Sequence, residues 1–227
     1  MQLAISISDL SFAWPGKDGF RLSIDHWQVP SGKNVFLYGP SGSGKSTLLN
    51  LLSGVIPAQS GSLAVLAQEL TVLSARQRDR FRAKHIGMIF QQFNLLPYLS
   101  GEQNIQLAGS FNGKNKSINS DYRQHLYGQL SLSDKILQQG ASTLSVGQQQ
   151  RIAVARALIF QPKLIIADEP TSALDSQLRD NFVNLLLSNA TDSTVIFVSH
   201  DRTLEPLFDQ QFDITALQTD REANNAD

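Results

Sequence analysis

The sequence predicts an α/β fold: a mixed parallel sheet covered by helices, an antiparallel β-subdomain beside it, and an inserted α-helical subdomain. The first observation is a set of short runs that are apolar throughout, typical of strands buried on both faces of a helix-covered parallel sheet. These runs are VFLY at 35–38, LIIA at 164–167 and VIFV at 195–198. Leucine-rich or amphipathic stretches at 46–53 and 145–160 lie between them and predict the covering helices.

The second observation is a strict alternation of apolar and polar residues in the N-terminal part of the chain. It occurs around 3–7 and 20–24, and GSLAVLA at 61–67 is similar. Such alternation predicts antiparallel strands with one buried face. These strands form the predicted β-subdomain.

The third observation concerns residues 91–143, which are more polar and are broken by the stretch FNGKNKSINS. We interpret this segment as the helical subdomain, inserted into a catalytic core formed by 1–90 and 144–227. The whole chain is then one domain of 227 residues. The tail TDREANNAD at 219–227 is predicted to be disordered.

Composition excludes several function classes. The net charge of −1 lacks the basic excess of nucleic-acid-binding proteins, so no nucleic-acid partner is expected. The absence of cysteine excludes disulfides, thiolate zinc sites and cysteine nucleophiles. The first residues lack the pattern of a signal peptide, and no apolar run reaches the roughly 18 residues of a membrane-spanning helix. If the protein acts at a membrane, another chain is expected to supply the spans.

The sequence GPSGSGKST at 39–47 matches the phosphate-binding pattern G-x-x-x-x-G-K-[ST]. An ordinary Gly/Ser loop is the alternative, but a strand precedes this segment and a helix follows it. Glycines let the backbone N–H groups curl around phosphate oxygens, and the helix dipole favours the anion. Lys45 is expected to reach the terminal phosphates, and Ser46 to bind Mg²⁺. The predicted ATP contacts are Gly39, Pro40, Ser41, Gly42, Ser43, Gly44, Lys45, Ser46 and Thr47.

A second chemical signal is the segment KLIIADEP at 163–170, where an apolar strand ends in two carboxylates. Buried carboxylates are costly unless they meet a cation or a polar site. Asp168 is placed to hold Mg²⁺ through water, and Glu169 to polarise the attacking water as a general base. The alternative, two solvated acids in a turn, is less consistent with the neighbouring phosphate loop.

The segment LSVGQQQR at 144–151 resembles the signature LSGGQ of the ABC ATPases. The resemblance covers about residues 3–205, because the other family motifs follow in order. It implies that Trp14 stacks on adenine, that Gln91 is the Q-loop glutamine and a Mg²⁺ ligand, and that His200 is the catalytic switch histidine. It also implies that 172–175 (SALD) is the D-loop. The catalytic set is then Glu169, His200, Gln91 and Lys45.

Some of these roles have alternatives. Trp14 could be a half-buried core residue, with Phe12 as the adenine platform instead. Gln92 could replace Gln91, and Asp175 could simply cap a helix. His26, His85 and His125 are interpreted as structural histidines.

The signature segment precedes a second helix N-terminus, again an anion-binding geometry. One nucleotide already has its cradle at 39–47, so a second phosphate contact suggests action in trans. The resemblance implies the same: each of two subunits, here expected to be identical, closes the ATP of the other through Ser145, Gly147, Gln148 and Asp175. Val146 departs from the family glycine, and activity is expected to survive this change because Ser145 and Gly147 remain.

The sequence around Gln91, IGMIFQQFNLLPYLSGEQNI, resembles the lipoprotein-release, macrolide-export and cell-division group of ABC ATPases. This implies a cytoplasmic subunit held at the inner face of the cell membrane by a separate permease, in export or mechanotransmission. The permease is expected to dock near 91–107, with Glu102 contributing. The alternatives are an importer ATPase for amino acids or phosphonates, a soluble ABC ATPase acting on DNA or ribosomes, and a scaffold that hydrolyses little ATP.

Overall fold

A computed structural model describes residues 2–16, 19–110 and 118–218 of the chain. The predicted disorder of 219–227 and most of the polar stretch FNGKNKSINS lie outside the described residues. The described strands are β1 (Leu3–Ala13), β2 (Arg21–Pro30), β3 (Asn34–Tyr38), β4 (Ser60–Val65), β5 (Gln68–Glu69), β6 (Ile86–Phe90), β7 (Leu164–Asp168), β8 (Thr194–Val198) and β9 (Gln210–Asp213).

The described helices include the two predicted at 46–53 and 145–160, which begin and end within two residues of those limits. The helices are α1 (Lys45–Leu52), α2 (Ala75–His85), α3 (Gly101–Ser110), α4 (Ser120–Gln129), α5 (Asp134–Gln138), α6 (Val146–Leu158), α7 (Ser176–Asn189) and α8 (Ile214–Leu217), with 3₁₀ turns at Ala141–Thr143 and Arg202–Leu207. Among the described residues, none of these helices combines the length and apolar character needed to cross a membrane.

Two sheets form the framework. One is antiparallel with strand order β2-β1-β4-β5, and the other has the order β6-β7-β8-β3-β9. Every strand pair in the second sheet is parallel. The predicted α/β class with an antiparallel subdomain is confirmed, but the parallel sheet is not mixed. The antiparallel strands of this chain pair only with each other in the described residues, because their single buried face suits a separate layer.

The central strands are buried on both faces, as their continuous apolar character requires. On β7, Leu164 and Ile166 join one core while Ile165 and Ala167 join the other. Since successive side chains of a strand point to opposite faces, one core lies on each side of the parallel sheet. The first core contains α1 and the antiparallel sheet, and the second contains α6 and α7. Helices therefore cover both faces and leave the strand ends for ligands.

The inserted segment between β6 and α6 contains α3, α4 and α5. Its loop after β6 is fixed by Asn104, a fully buried side chain in α3. The Asn104 amide oxygen accepts from Leu96 N at 2.8 Å, and its nitrogen donates to Leu96 O at 3.1 Å and Ser100 O at 3.0 Å. A buried amide with all its partners satisfied stabilises one loop conformation.

Candidate active site

The loop at 39–44 joins β3 to α1 and depends on two glycines with backbone angles that other residues rarely adopt. Gly44 has φ +93°, and a Cβ there would lie 2.4 Å from Cζ of Phe20. Gly39 has φ +150°, and a Cβ there would lie 2.7 Å from Cγ2 of Ile214. The motif glycines are therefore required by the chain itself, before any ligand is considered.

Lys45 is the first residue of α1 and is 6% exposed. Its ammonium group donates to Gly39 O at 2.9 Å and to Pro40 O at 2.8 Å. The loop thus curls around the lysine, and α1 directs its free N–H groups towards the same space. A cavity of about 320 Å³ opens there. It is lined by Trp14, Phe20, Ser41, Gly42, Gly44, Lys45, Ser46, Thr47, Glu169 and His200.

The parallel register brings the predicted polar residues to one edge of the sheet. Phe90 of β6 pairs with Asp168 of β7, which pairs in turn with Val198 of β8. Gln91, Glu169 and His200 follow these strand ends in the sequence. Gln91 is exposed and does not line the cavity, whereas Glu169 and His200 do.

Glu169 and His200 contact each other directly. Nε2 of His200 lies 2.6 Å from Oε1 of Glu169. Glu169 has φ +46°, an unusual angle for a residue with a side chain. Its N–H donates to Val198 O at 3.0 Å, and its carbonyl accepts from Ser172 N at 3.2 Å. These backbone bonds hold the unusual conformation that directs the carboxylate into the cavity.

The environment of the Asp168 carboxylate disfavours its charged form. Burial and the neighbouring Glu169 carboxylate raise its pKa, while the Ser46 hydroxyl and Lys45 oppose the rise. Oγ of Ser46 donates to Oδ2 of Asp168 at 3.4 Å. A hydroxyl oxygen and a carboxylate oxygen are suitable ligands for Mg²⁺ when phosphate oxygens complete the coordination shell of the ion. Within the described residues no group of three or more His, Cys, Asp or Glu side chains could hold a metal alone.

The aromatic wall of the cavity bears on the choice between Trp14 and Phe12. Trp14 is 42% exposed and its indole N–H donates to Oγ1 of Thr47 at 3.2 Å. Phe12 is buried beneath it in an edge-to-face contact with centroids 5.1 Å apart, and does not line the cavity. Trp14 is therefore the exposed aromatic residue and Phe12 packs against it, which favours Trp14 for the predicted stacking on adenine.

Phe20 is a cavity residue that sequence reasoning missed. Its ring lies against Gly44 and lines the cavity together with Trp14. The alternation with Leu22 and Ile24 suggested only a strand-face residue. A signal was available, because Phe20 immediately follows a glycine-containing loop that begins at Trp14.

The loop is also supported from behind by the C-terminal part of the chain. The Gln218 side-chain amide donates to Ser43 O at 2.5 Å, and Ile214 packs against Gly39. These contacts link residues more than a hundred positions apart in sequence, and no sequence pattern predicts them.

The signature residues lie outside this cavity. Ser145 caps α6: its hydroxyl accepts from Gln148 N at 3.3 Å, and its N–H donates to Oε1 of Gln148 at 2.9 Å. Val146 is 53% exposed in the first turn of this helix and has no left-handed backbone angle. The departure from glycine therefore leaves the helix start intact within the chain.

Asp175 has a capping contact within the chain, and the three histidines outside the cavity differ in exposure. Asp175 caps α7 by accepting from Leu178 N at 2.9 Å, as the alternative interpretation predicted, and it is exposed. His26 and His125 are exposed, and the ring of His85 lies 5.0 Å from that of Phe81.

A family model described as "ABC transporter" matches residues 22–172, which is most of the chain. The chain belongs to the ABC transporter family. It binds and hydrolyses ATP, as the resemblance to ABC ATPases implied, and the phosphate loop described above lies in the matched region.

Relatives of this ABC ATPase include a macrolide export ATP-binding/permease protein, MacB, from Burkholderia thailandensis. The two are 40% identical over 82% of this chain but only 28% of MacB. The ABC transporter ATP-binding protein YbbA of Escherichia coli K12 is 37% identical over 86% of both chains. The chain thus spans less than a third of MacB and most of YbbA.

Solved structures support the same fold. A dimeric, post-hydrolysis structure of the ATP-binding cassette MJ0796 with ADP and Pi matches with TM-score 0.76 and 28% identity, covering 92% of this chain and 93% of that one. The cassette cbiO1 of Clostridium perfringens, part of the complex cbiONQ, matches with TM-score 0.78 and 25% identity over 94% of this chain and 85% of its own.

Proposed function

We propose that this ABC ATPase is the energy-supplying subunit of an export or mechanotransmission complex. It acts as a head-to-tail homodimer on a separate membrane permease, which holds it at the cytoplasmic face of the membrane. The export names of MacB and of a syringafactin exporter from Pseudomonas syringae, 40% identical over 82% of this chain, support the export assignment. The dimeric MJ0796 structures support the pairing.

The observation that carries this proposal is the separation of two half-sites. One half-site is the cavity with Lys45, Glu169 and His200, and the other is the exposed α6 N-terminus with Ser145 and Val146. A helix N-terminus favours a negatively charged group, and the Ser145 cap leaves other N–H groups of the first turn free. A second copy, turned head to tail, would bring this N-terminus to the ATP of its partner.

Within one subunit the cavity residues divide the chemistry of hydrolysis. Trp14 stacks on the adenine, and the loop N–H groups with Lys45 hold the phosphates. Glu169 accepts a proton from the attacking water, and His200 holds the Glu169 carboxylate in place through their 2.6 Å contact. Gln91, at the end of the neighbouring strand, is positioned to enter this site when the helical subdomain (about 91–143) moves.

Ser46 and Asp168 would hold Mg²⁺, with Gln91 as a further oxygen donor. The ion would neutralise developing charge on the phosphates. The raised pKa of Asp168 supports this placement, because a nearby cation would favour its charged form.

A disulfide experiment tests the head-to-tail arrangement, and the cysteine-free chain makes it clean. Protein carrying Ser41→Cys is mixed with protein carrying Val146→Cys, both in a Glu169→Gln background that retains ATP. We expect a cross-linked dimer in the mixture only when ATP and Mg²⁺ are present, because Ser41 lines the cavity and Val146 is exposed at the α6 N-terminus.

The matched control replaces Val146→Cys with Lys163→Cys, an exposed residue at the opposite end of β7. It should give no cross-link with Ser41→Cys. Two results would contradict the head-to-tail dimer. One is equal cross-linking in the mixture with and without ATP. The other is cross-linking between two copies of the same single-cysteine protein and none between Ser41→Cys and Val146→Cys.

We further propose that the permease docks in a groove of about 900 Å³ between α2, β6, α3 and α6. Its floor is apolar, and its rim carries five cationic side chains against one acid, Asp79, which pairs with Arg82 at 2.6 Å. The cationic residues are Arg76, Arg80, Arg82, Lys84 and Arg156. Glu102 does not line this groove, and it accepts from the Tyr127 hydroxyl at 2.9 Å, so a contribution of Glu102 to docking stays a separate prediction.

Charge reversal at the rim of the groove should weaken membrane attachment. The variant Arg76→Glu/Arg80→Glu is expected to sediment less with membranes of the native host than the unmodified chain does. Its basal ATP hydrolysis is expected to stay within about twofold, since exposed charges away from the site change stability little. The control Lys135→Glu, an exposed charge on α5, should sediment normally. Equal sedimentation of both variants would exclude this groove.

A further inference from the structure

An ion pair lies next to the catalytic edge and has no part in the mechanism described so far. Arg179, in the first turns of α7, contacts the carboxylate of Asp201, which directly follows His200 in the chain. The same guanidinium pairs with Asp180 at 2.8 Å. The Arg179 side chain is 16% exposed, less than Arg82, Arg123 and Arg202 in their ion pairs, so its guanidinium is more shielded from water than theirs.

The Asp201 end of this pair is firmly held. Its carboxylate accepts from Thr203 N at 3.0 Å and from the Thr203 hydroxyl at 2.6 Å, and its own N–H donates to Oγ of Ser199 at 3.1 Å. The Thr203 hydroxyl and Arg179 keep the pKa of Asp201 below its usual value. The carboxylate is therefore charged at neutral pH, and its hydrogen bonds to Ser199 and Thr203 lie in the turn that contains His200.

The Arg179 end is tied to the D-loop. Arg179 N donates to Asp175 O at 2.9 Å, one helical turn away, and Asp175 is the residue that caps α7. Contacts therefore connect Asp175 to Arg179, and Arg179 to Asp201, which is next to His200 in the chain. His200 in turn contacts Glu169, with Nε2 and Oε1 2.6 Å apart.

We propose that Arg179 is a positioning residue for ATP hydrolysis: it fixes the turn carrying His200 against α7, so that the D-loop and the His200–Glu169 contact move together. Arg179 does not line the cavity. The link to the second subunit through Asp175 rests on the proposed head-to-tail dimer, whereas the positioning of His200 needs only the contacts within one chain.

The experiment compares Arg179→Ala, Arg179→Lys and the matched ion-pair control Lys33→Ala, which loses a 3.4 Å pair with Asp209. For Arg179→Ala we expect kcat to fall about 10-fold with KM for ATP nearly unchanged, because small displacements of a reacting group cost up to about 100-fold in rate. Arg179→Lys should recover part of the loss, since lysine keeps the charge but not the fork that reaches both carboxylates. Lys33→Ala should behave as wild type.

A double variant separates positioning from general destabilisation. In a His200→Ala background, adding Arg179→Ala should lower kcat no further, because Arg179 acts through His200. A further 10-fold loss in that background, or an unchanged kcat in Arg179→Ala itself, would overturn the proposal. The disulfide experiment reports separately on the dimer: a missing cross-link in protein with Arg179 intact would count against the proposed function, not against this positioning role.

Discussion

Glu169→Gln is expected to lower ATP turnover about 1,000-fold while leaving ATP binding intact. A positioned general base contributes about 100- to 10,000-fold to a rate, and the glutamine amide cannot accept the proton of the attacking water. The substitution keeps the size of the side chain. Its carbonyl oxygen can still contact Nε2 of His200, which lies 2.6 Å from the carboxylate in the unmodified chain.

With the proposed head-to-tail dimer, the same variant should accumulate as an ATP-bound dimer, because hydrolysis would be the step that reopens the pair. The measurements are phosphate release and mass in solution, with and without Mg-ATP. The control Asp134→Asn, an exposed acid in the first turn of α5, should hydrolyse ATP normally and stay monomeric at the end of turnover. A Glu169→Gln protein that turns over at the wild-type rate, or that binds ATP and remains monomeric, would contradict the assignment.

The backbone at Glu169 makes this test specific. With φ +46°, the residue occupies a conformation that costs energy and is held by bonds to Val198 and Ser172. Glutamine is as compatible with this angle as glutamate, so the variant should fold normally. Glu169→Gly, which relieves the angle but removes the carboxylate, should be equally inactive. Agreement between the two would assign the loss to the carboxylate rather than to the backbone.

The sequence was sufficient to predict features that depend on local pattern. The continuous apolar run at 164–167 predicted a strand buried on both faces, and Leu164 and Ile165 do enter opposite cores. Helix α6 begins one residue after the predicted limit, because Ser145 serves as its cap rather than as its first turn. Parallel register then explains how Glu169 and His200, from separate strands, reach one edge.

Other features depend on side-chain direction, which pattern does not encode. The hydrogen bond from the Tyr127 hydroxyl to Glu102 across the helical insertion could not be predicted from the sequence, whereas the predicted role of Glu102 in docking stays a prediction. Phe20 was taken as a strand residue, yet its ring lines the cavity. The pair between Arg179 and Asp201 joins two segments that the sequence separates by a helix and a strand. Such contacts depend on the order of the strands in the sheet, and the order β7-β8-β3 cannot be predicted from the apolar sequence runs that form these strands.

Asp168→Asn is expected to lower ATP turnover while raising the thermal stability of the chain without Mg²⁺. Burial and the charge of Glu169 raise the pKa of Asp168 above the usual 3.8, so its charged form is disfavoured in the folded chain without a cation. Asparagine removes that charge at nearly constant shape. In Mg²⁺-free buffer at neutral pH, the variant should melt about 2 °C higher than wild type. Since a raised carboxyl pKa costs stability only above the usual value, this difference should vanish as the pH falls and wild-type Asp168 becomes protonated.

Turnover of the same variant should fall about 100-fold, and the Mg²⁺ concentration for half-maximal rate should rise about 10- to 100-fold, because the carboxylate beside Ser46 is lost. Thermal melts with EDTA and with Mg-ATP, together with a Mg²⁺ titration of phosphate release, provide both readouts. Wild type should gain more stability from Mg-ATP than Asp168→Asn does. A variant that melts lower without Mg²⁺ and keeps the wild-type Mg²⁺ requirement would show that Asp168 stabilises the fold and takes no part in holding the ion.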